Sequence, residues 1–527
     1  MCQITINGET VNVAKTSTIL QAARQLGITI PTLCYLEGLE PFTSCMLCVV
    51  KEQKSGKLLP SCSARVQEGM IIETDSDEVQ AARRDALELL LSEHIGDCEA
   101  PCQKGCPAHM NIPQMLRQIA AGELDKAILT IKKDIALPAV LGRICPAPCE
   151  KVCNRAKIDE PVSICLLKRY AADANLDSSV SYIPASLPLT GKRVAIIGSG
   201  PTGLAAAFHL LQYGHACDLY DQNEGAGGTL RYGVDPDKCP ASVLDSEIAV
   251  IAKLGARFIL QKTIGKDIAF AELRGNYDAV VLATGVIDDS LAALTGVPFI
   301  AGKGFAADAK TFVTGVAGVF AGGSAVRESR MAIRSVAQGK TIAYSIHLYL
   351  QKKDIAPLAG RFNSSIGKLT IDDLQAMLKL VNTGSRKSPA DTDTDCLTAA
   401  EAVYEASRCL RCDCRKPEGC KLRQYSEEYN ADQKHYPNIN RKNVELIDQH
   451  NTVIYEPGKC IKCGICVQIT ERSAEKLGLT FIGRGFNVRI GIPFNSELAA
   501  GLSRVAEECV LNCPTGALAH KKGEEKQ

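Results

Sequence analysis

The sequence contains no tryptophan among its 527 residues, and aromatic residues make up only 5% of them. Its 60 lysines and arginines nearly balance 59 aspartates and glutamates, which leaves a net charge of +1. This balance argues against a nucleic-acid partner, because such proteins normally carry a basic excess. No apolar run approaches the roughly 18 residues that cross a bilayer, and the N-terminus MCQITINGETVNV lacks the pattern of a signal peptide. We therefore expect a cytoplasmic protein without a membrane span.

Against these absences stands a large number of cysteines, 24 in all. In a reducing compartment, clustered cysteines are more often metal ligands or redox groups than disulfides. Structural zinc would suit one or two groups of them, whereas five groups favour a relay of iron–sulfur clusters. The groups are Cys34, Cys45, Cys48 and Cys62; Cys98, Cys102 and Cys106; Cys145, Cys149 and Cys153; Cys409, Cys412, Cys414 and Cys420; and Cys460, Cys463, Cys466, Cys509 and Cys513.

The N-terminal segment alternates apolar and polar residues on both sides of Asn7-Gly8, which predicts a β-hairpin. A helix is predicted at about 18–26. The spacing Cys34-x10-Cys45-x2-Cys48-x13-Cys62 follows, and four such thiolates can hold a 2Fe–2S cluster, with zinc as the alternative.

The segments CYLEGLEPFTSCMLCVV and LLPSCSARVQEGM resemble the N-terminal 2Fe–2S domain of the large iron–sulfur subunit of complex I and of related hydrogenases and formate dehydrogenases. The resemblance implies a β-grasp ferredoxin fold. A further helix is predicted from Ser76, and it leads to His94-x3-Cys98. The complex I family places a cluster-ligating histidine just after this helix, so the resemblance makes His94 a candidate ligand.

The middle cysteines lie in Cys98-x3-Cys102-x3-Cys106 and in GRICPAPCEKVCNRAKIDEPVSICLLKRYAAD. Both stretches resemble the iron–sulfur domain of the glutamate synthase small subunit family, in which two 4Fe–4S clusters share interleaved ligands. The resemblance assigns Cys98, Cys102 and Cys153 to one cluster, with His94 near the place of a missing cysteine. It assigns Cys106, Cys145 and Cys149 to the other. The fourth ligand of the second cluster stays open; Cys165 is a candidate, and the alternative is that it is a small buried apolar residue.

A glycine fingerprint, Gly198-x-Gly200-x-x-Gly203, stands between an apolar strand and an Ala/Leu-rich helix, and Asp221 ends a second strand. This context predicts a dinucleotide site, with the pyrophosphate at the helix N-terminus and Asp221 at a ribose. The fingerprint alone does not separate FAD from NAD. The segments GGTLRYGV, DAVVLATG and GVFAGG resemble the FAD domain of the same family, so the resemblance implies FAD. Those segments add candidate contacts at Gly228, Gly285, Gly323 and Ser324.

The second dinucleotide-binding domain of that family, which holds NAD(P)H, has no counterpart in the sequence. The family places it between segments that end here at Gly285 and begin at Gly318, only 33 positions apart. One βαβ unit already takes about 30 residues. We therefore expect hydride exchange with a nicotinamide to occur on a partner.

The last third begins with a polar linker at 352–395 and then gives Cys409-x2-Cys412-x-Cys414-x5-Cys420, which suits a 4Fe–4S cluster, with zinc as the alternative. Two ferredoxin-like runs follow. Thr470 replaces the fourth cysteine of the first run, and Ser503 and Ala506 replace two cysteines of the second. One cluster is therefore predicted from the surviving set, with Cys509 left over: Cys460, Cys463, Cys466 and Cys513.

The predicted fold class is multidomain α/β and α+β. The predicted domains are a β-grasp 2Fe–2S ferredoxin domain (1–93), a helical double 4Fe–4S domain (94–185), an FAD-type Rossmann domain without the NAD(P)H-binding insertion (186–350), a linker with the CxxCxC segment (351–430), and a bacterial-ferredoxin-like domain (431–527).

The combined pattern resembles electron-transfer subunits of electron-bifurcating transhydrogenases and hydrogenases. It implies one 2Fe–2S cluster, four 4Fe–4S clusters and FAD. The implied partners are an FMN/NADH-binding complex I-like subunit and a thioredoxin-like 2Fe–2S subunit, with ferredoxin as a further candidate. Two alternatives stay open: an NAD(P)H-oxidising small subunit of a glutamate synthase-like enzyme, and a non-redox metal-binding scaffold.

Overall fold

The computed structural model describes residues 1–179, 181–287, 289–358, 360–389, 396–437 and 441–521. The chain divides into two units. The first consists of Met1–Ala100, Arg361–Leu380 and Arg411–Gln527, and the second of Pro101–Gly360 and Val381–Leu410. The predicted five-part division is finer and stays a prediction, and the linker positions 359 and 390–395 lie outside the described residues. No helix in the described ranges is long and apolar enough to cross a membrane.

The first 100 residues form a mixed five-stranded sheet with two helices. The elements are β1 (Cys2–Ile6), β2 (Glu9–Val13), α1 (Ile19–Gln25), β3 (Val49–Glu52), β4 (Lys57–Pro60), β5 (Ile71–Glu73) and α2 (Asp77–Ser92). The strand order is β2-β1-β5-β3-β4, with β1 and β5 parallel.

The local predictions for this segment are confirmed. Asn7 and Gly8 form the hairpin turn with φ values of 50° and 88°, the left-handed region that two-residue hairpins require. Thr18 caps α1 through a capping box with Gln21. The helix α2 begins directly after Ser76.

A helical segment opens the second unit. It contains α3 (Pro101–Gly105), α4 (Ile112–Ala120), α5 (Leu124–Lys132), α6 (Pro138–Ile144), α7 (Pro148–Lys151), a 3₁₀ turn (Asn154–Lys157) and α8 (Ile164–Leu176). The backbones of α6 and α8 approach closely at Gly142, where a Cβ atom would lie 2.8 Å from the Cα of Arg169. This approach brings Cys145, which ends α6, towards α8.

A parallel sheet with flanking helices completes most of the second unit. It contains β6 (Arg193–Ile197), α9 (Pro201–Gln212), β7 (Ala216–Tyr220), α10 (Thr229–Tyr232), α11 (Ala241–Lys253), β8 (Arg257–Ile259), α12 (Phe270–Asn276), β9 (Ala279–Leu282), α13 (Asp289–Thr295), β10 (Phe299–Ile300), β11 (Gly304–Phe305), β12 (Val319–Ala321), a 3₁₀ turn (Gly323–Ala325) and α14 (Ala332–Leu350). The strand order is β12-β9-β6-β7-β8, and every pair is parallel.

This strand order is that of a Rossmann-like half-domain, and β6 and β9 are buried along nearly their whole length. The described residues between β9 and β12 form only α13 and the two-stranded β10–β11 pair. In the described residues, the short connection between Gly285 and Gly318 therefore contains one short helix and one two-stranded pair outside the main sheet.

The remaining elements are α15 (Ile371–Leu378), α16 (Ala399–Ala406), α17 (Lys421–Glu428), β13 (Val453–Tyr455), a 3₁₀ turn (Pro457–Lys459), α18 (Ile465–Arg472), β14 (Thr480–Ile482), a 3₁₀ turn (Gly485–Asn487), β15 (Arg489–Gly491), a 3₁₀ turn (Pro493–Asn495), α19 (Leu498–Gly501), α20 (Ala506–Asn512) and β16 (Leu518–His520). Of these, α16 belongs to the second unit and the others to the first. Two antiparallel pairs form, β13 with β16 and β14 with β15.

The first unit joins its distant segments through one apolar core. Leu87 and Leu91 of α2 share this core with Tyr429 and Val453 from the C-terminal part. Arg83 of α2 also donates to the hydroxyl of Tyr429 at 3.0 Å. The N-terminal and C-terminal cysteine groups are therefore parts of one packed body.

Candidate functional site

The four N-terminal cysteines form two thiol pairs. Cys34, Cys45, Cys48 and Cys62 are each at most 4% exposed. The Cys45 thiol donates to Cys34 and the Cys62 thiol donates to Cys48, which lowers the pKa of each acceptor and raises that of each donor. Such close thiols become thiolates together only where a cation compensates their charge. The donor set therefore fits the two irons of a 2Fe–2S cluster.

A second group lines one small cavity in the C-terminal part. Cys460, Cys463, Cys466 and Cys513 all border a space of about 20 Å³. Gly464 takes a left-handed φ of 76°, which lets the chain turn between the second and third of these cysteines. Burial is the main cause that raises the pKa of the first three thiols, and the charges of neighbouring thiols add to it. Four sulfurs around one cavity fit a 4Fe–4S cluster in their chemistry.

Thr470, which replaces a cysteine of the ferredoxin pattern, has a structural role, and the leftover Cys509 is buried. Thr470 is 1% exposed; its hydroxyl donates to the carbonyl of Val467 at 2.8 Å and accepts from the backbone of Leu479 at 3.0 Å. Cys509 is buried with its thiol 3.9 Å from the carbonyl oxygen of Cys466, and burial raises its pKa to about 12. Thr470 thus ties α18 to the following segment, and the single-cluster assignment stays a prediction.

Cys98 lies beside cysteines that are more than 300 positions away in the sequence. The backbone N–H of Cys414 donates to the carbonyl of Cys98 at 3.2 Å. Cys98 and Cys414 both lie close enough to Cys420 to interact with its thiol electrostatically. The Cys98 sulfur also contacts the hydroxyl of Ser364 at 3.2 Å. The first unit therefore contains a buried group of three cysteines, in which sequence spacing associated Cys414 with Cys420 but not with Cys98.

His94 presents an unpaired nitrogen close to this region. Its Nδ1 atom is buried and has no hydrogen-bond partner among the described residues. Burial, with a smaller effect from the charge of Lys459, lowers its pKa to about 4. His94 borders a cavity of about 260 Å³ that Cys45 and Cys460 also line. A neutral imidazole with a free buried nitrogen is suited to metal ligation, which stays a prediction for His94.

Cys102, Cys153 and Cys409 belong to the second unit, whereas Cys412, Cys414 and Cys420 belong to the first. Two buried arginines hold the segments of Cys153 and Cys409 together. Arg155 donates to the carbonyl of Arg408 at 2.9 Å, directly before Cys409, and both arginines bind the carboxylate of Asp159.

The predicted set Cys106, Cys145 and Cys149 surrounds a side chain that the sequence did not single out. Lys168 on α8 is 3% exposed, and all three cysteines are close enough to interact electrostatically with its ammonium. Its position three residues after Cys165 on a buried helix is the signal that could have identified it. The three cysteines therefore lie in one shared environment within the second unit.

The glycine fingerprint forms a tight turn at the end of β6. A Cβ atom at Gly203 would lie 2.0 Å from the carbonyl oxygen of Gly198, so only glycine allows α9 to begin this close to the strand. Gly228 has a φ of 53°, and a Cβ there would lie 2.8 Å from the Cα of Gly200. Two glycine turns thus meet in front of the N-terminus of α9, an arrangement that fits a dinucleotide pyrophosphate.

The predicted ribose contact already has protein partners. Asp221 accepts from the backbone and hydroxyl of Ser199 at 2.8 and 2.6 Å, and from Asn223 at 2.9 Å. Its contact with a ribose stays a prediction. Gly285 follows β9 by three positions with a φ of 84°.

Gly323 and Ser324 lie in the turn after β12, as the sequence pattern placed them. The Gly323 N–H donates to the side chain of Gln338 at 2.6 Å, and a Cβ there would lie 2.4 Å from the hydroxyl of Thr202. The turn therefore packs against the start of α9.

No group of three or more His, Cys, Asp or Glu side chains in the described residues has the geometry to hold a metal ion. The thiol groups thus stand as pairs and neighbours, whose donor chemistry suits polynuclear sites. The described residues thus contain several groups of neighbouring thiols and a glycine turn of the dinucleotide-binding type.

Family models match three segments of the chain. Residues 1–77 match a 2Fe-2S iron-sulfur cluster binding domain, residues 76–180 match dihydropyrimidine dehydrogenase domain II with its 4Fe-4S cluster, and residues 196–262 match an NAD(P)-binding Rossmann-like domain. The prediction of 2Fe–2S and 4Fe–4S domains beside a Rossmann-like domain is confirmed.

Curated relatives include the NADPH-Fe(3+) oxidoreductase subunit beta of Geobacter sulfurreducens, 39% identical over 188 residues, 35% of this chain and 28% of the relative. The NADP(+)-dependent formate dehydrogenase subunit beta of Moorella thermoacetica is 32% identical over 287 residues, 50% of this chain and 40% of the relative. The glutamate synthase [NADPH] small chain of Bacillus subtilis is 36% identical over 201 residues, 36% of this chain and 40% of the relative. The chain thus spans less than half the length of each.

These matches relate the chain to subunits of NAD(P)-dependent oxidoreductases, which agrees with the predicted class of oxidoreductase subunit. The presence of FAD, the number of clusters and the type of complex are more specific than what these matches show.

Proposed function

We propose that the chain is an electron-transfer subunit of a multi-subunit NAD(P)/ferredoxin oxidoreductase of the electron-bifurcating transhydrogenase or hydrogenase type. Its cofactors would be one 2Fe–2S cluster, four 4Fe–4S clusters and FAD. Iron–sulfur clusters supply one-electron transfer, and a flavin exchanges one-electron and two-electron chemistry.

The observation that carries this proposal is the grouping of buried thiols in both units. The chain's own part would be to hold ligands at fixed positions, exclude water and set the local charge. Burial of Cys460, Cys463 and Cys466 raises their pKa, so without metal these thiols stay protonated at neutral pH. Metal loading would therefore release protons and stabilise the fold at the same time.

The short connection between β9 and β12 supports a partner for hydride exchange. We propose an FMN/NADH-binding complex I-like subunit with a thioredoxin-like 2Fe–2S subunit. Gel filtration of the native protein should show a complex larger than this chain. A monomer that reduces an acceptor with NADH on its own would contradict this part of the proposal.

Anaerobic purification followed by iron, sulfide and flavin analysis tests the proposal directly. We expect about 18 iron atoms per chain, the sum for one 2Fe–2S and four 4Fe–4S clusters, together with FAD released by denaturation. A colourless protein with zinc and without iron would overturn the proposal and favour the non-redox scaffold.

A second candidate function is favoured by one observation, the match of residues 196–262 to an NAD(P)-binding Rossmann-like domain. In this case the Gly200–Gly228 turn would bind a nicotinamide dinucleotide, as in a stand-alone NAD(P)H-oxidising subunit. Equilibrium binding of NADPH and NADH, measured on protein whose flavin content is known, distinguishes the two candidate functions. Micromolar NADPH binding without released FAD would favour this candidate.

A further inference from the structure

A fourth thiol lies with the incomplete set of the second unit. Cys165 stands in the first turn of α8 and is 9% exposed. Its thiol forms side-chain hydrogen bonds with the thiols of both Cys145 and Cys149. Cys106 lies near the same group, because all four cysteines are close enough to interact electrostatically with the Lys168 ammonium. A fourth cysteine therefore lies near the three that the sequence resemblance supplied.

Local structure fixes Cys165 in this position. Its backbone N–H donates to the carboxylate of Glu150 at 2.9 Å, so the start of α8 is bound to the residue next to Cys149. The same carboxylate pairs with Arg386 at 2.7 Å. The close approach of α6 to α8 at Gly142 also brings Cys145, at the end of α6, towards α8. These contacts hold the backbone of Cys165 in place next to Cys149.

The buried positive charge beside Cys165 also supports its role as a cluster ligand. The Lys168 ammonium is buried, lies 4.0 Å from the Cys165 sulfur and donates to the carbonyl of Leu141 at 3.2 Å. Burial disfavours its charge, and the four cysteines are close enough to interact with it electrostatically. A buried cation is costly unless anions compensate it. Four thiolates on a cluster would give Lys168 that compensation.

We propose that Cys165 is the fourth protein ligand of a 4Fe–4S cluster held by Cys106, Cys145 and Cys149, with Lys168 as its buried counter-cation. This inference rests on the proposed function, because it takes an iron–sulfur cluster as the bound group. Ligation replaces the S–H bond of Cys165 by an S–Fe bond and releases the proton to solvent. The ligand then sits one helical turn before Lys168.

Substitution of Cys165 tests the ligand assignment in the full-length, anaerobically purified protein. In C165A we expect one 4Fe–4S EPR signal to be lost or converted to a three-iron signal, with loss of about one to four iron atoms per chain. The matched control is C217A, which removes another buried cysteine, on β7, and should keep the iron content and all signals. Unchanged iron and EPR spectra in folded C165A would overturn the proposal.

A second variant covers the case in which C165A does not fold. In C165S the hydroxyl has nearly the size of the thiol, and we expect one cluster either to be lost or to shift its midpoint potential. Wild-type potentials and signals in C165S would overturn the proposal. Failure of the proposed function looks different, because the wild type itself would then contain no iron.

Lys168 provides an independent readout. Removing a buried positive charge disfavours the extra electron of a reduced cluster, so K168Q should make the midpoint potential of one cluster more negative. The control is K132Q, which replaces another buried lysine of this unit whose charged neighbour is Glu247. Equal midpoint potentials in K168Q and wild type would show that Lys168 is not a counter-cation of the cluster.

Discussion

His209 illustrates how a single buried side chain makes stability depend on pH. It lies on α9 and is 7% exposed, and its Nε2 has no hydrogen-bond partner among the described residues. Burial, and to a smaller extent the charge of Lys340, lowers its pKa to about 3. The imidazole is therefore neutral in the folded protein throughout the neutral and mildly acidic range.

The sign of the effect follows from proton uptake by the unfolded chain. An unfolded histidine binds a proton below about pH 6.5, whereas the folded one does so only near pH 3. Stability from this group is complete above pH 6.5 and falls by about 1.4 kcal/mol per pH unit well below it. We expect H209L to show a smaller drop in unfolding temperature between about pH 7 and about pH 5 than wild type.

The control is L211A, because it removes a buried side chain of the same helix that carries no titratable group, and it should keep the wild-type pH dependence. If H209L and wild type lose the same number of degrees on acidification, the assigned role of His209 is wrong.

At the scale of one element, α20 depends on a lysine from another segment. The end of a helix leaves carbonyl oxygens without intrahelical partners. The buried Lys416 ammonium donates to the carbonyls of Val510, Leu511 and Cys513 at 2.7, 3.2 and 2.9 Å. One side chain thus caps α20 and fixes the backbone of a predicted cluster ligand.

Replacement of Lys416 by methionine should remove these three hydrogen bonds, at a cost of about 1–3 kcal/mol. We expect K416M to unfold at lower temperature and to alter one 4Fe–4S EPR signal, the same signal that we expect C463S to remove. The exposed Lys476 on the same unit offers a control, and K476M should do neither. A normal signal in K416M would show that Cys513 does not need this cap.

Elements that depend on neighbours in the sequence could be predicted, and contacts between distant segments could not. The hairpin at Asn7-Gly8, the capped start of α1 and the fingerprint at Gly198–Gly203 are encoded within a few residues. The contact of Cys98 with Cys414 and the cap of α20 by Lys416 arise only when segments far apart in the chain pack together. Spacing motifs therefore define groups of thiols along the sequence, but they contain no information on which groups meet.

At the scale of the whole molecule, this difference has a measurable outcome. The family resemblance assigns Cys98 and Cys102 to one cluster, and sequence spacing assigns Cys414 to another. The structure places Cys98 beside Cys414 in the first unit. Because ligands of one cluster share its signal, we expect C98S and C414S to lose the same EPR signal.

C102S is the comparison that decides between the two groupings. If C98S and C102S lose one signal and C414S a different one, the grouping of Cys98 with Cys102 that the sequence predicts is right. The contact between Cys98 and Cys414 is then only structural. Iron content measured on the three variants gives an independent check, because each lost 4Fe–4S cluster removes about four iron atoms.

The first unit has a consequence for biosynthesis, because Leu87 and Leu91 pack against Tyr429 and Val453. When the helix α2 emerges from the ribosome, the residues that will cover it have not yet been translated. At about 5–20 residues per second, the wait lasts roughly 18 to 72 seconds. During that interval Cys34 and Cys45, which belong to the same core, lack its C-terminal half, so we expect cofactor insertion at these thiols to be completed after the C-terminal segment has been translated.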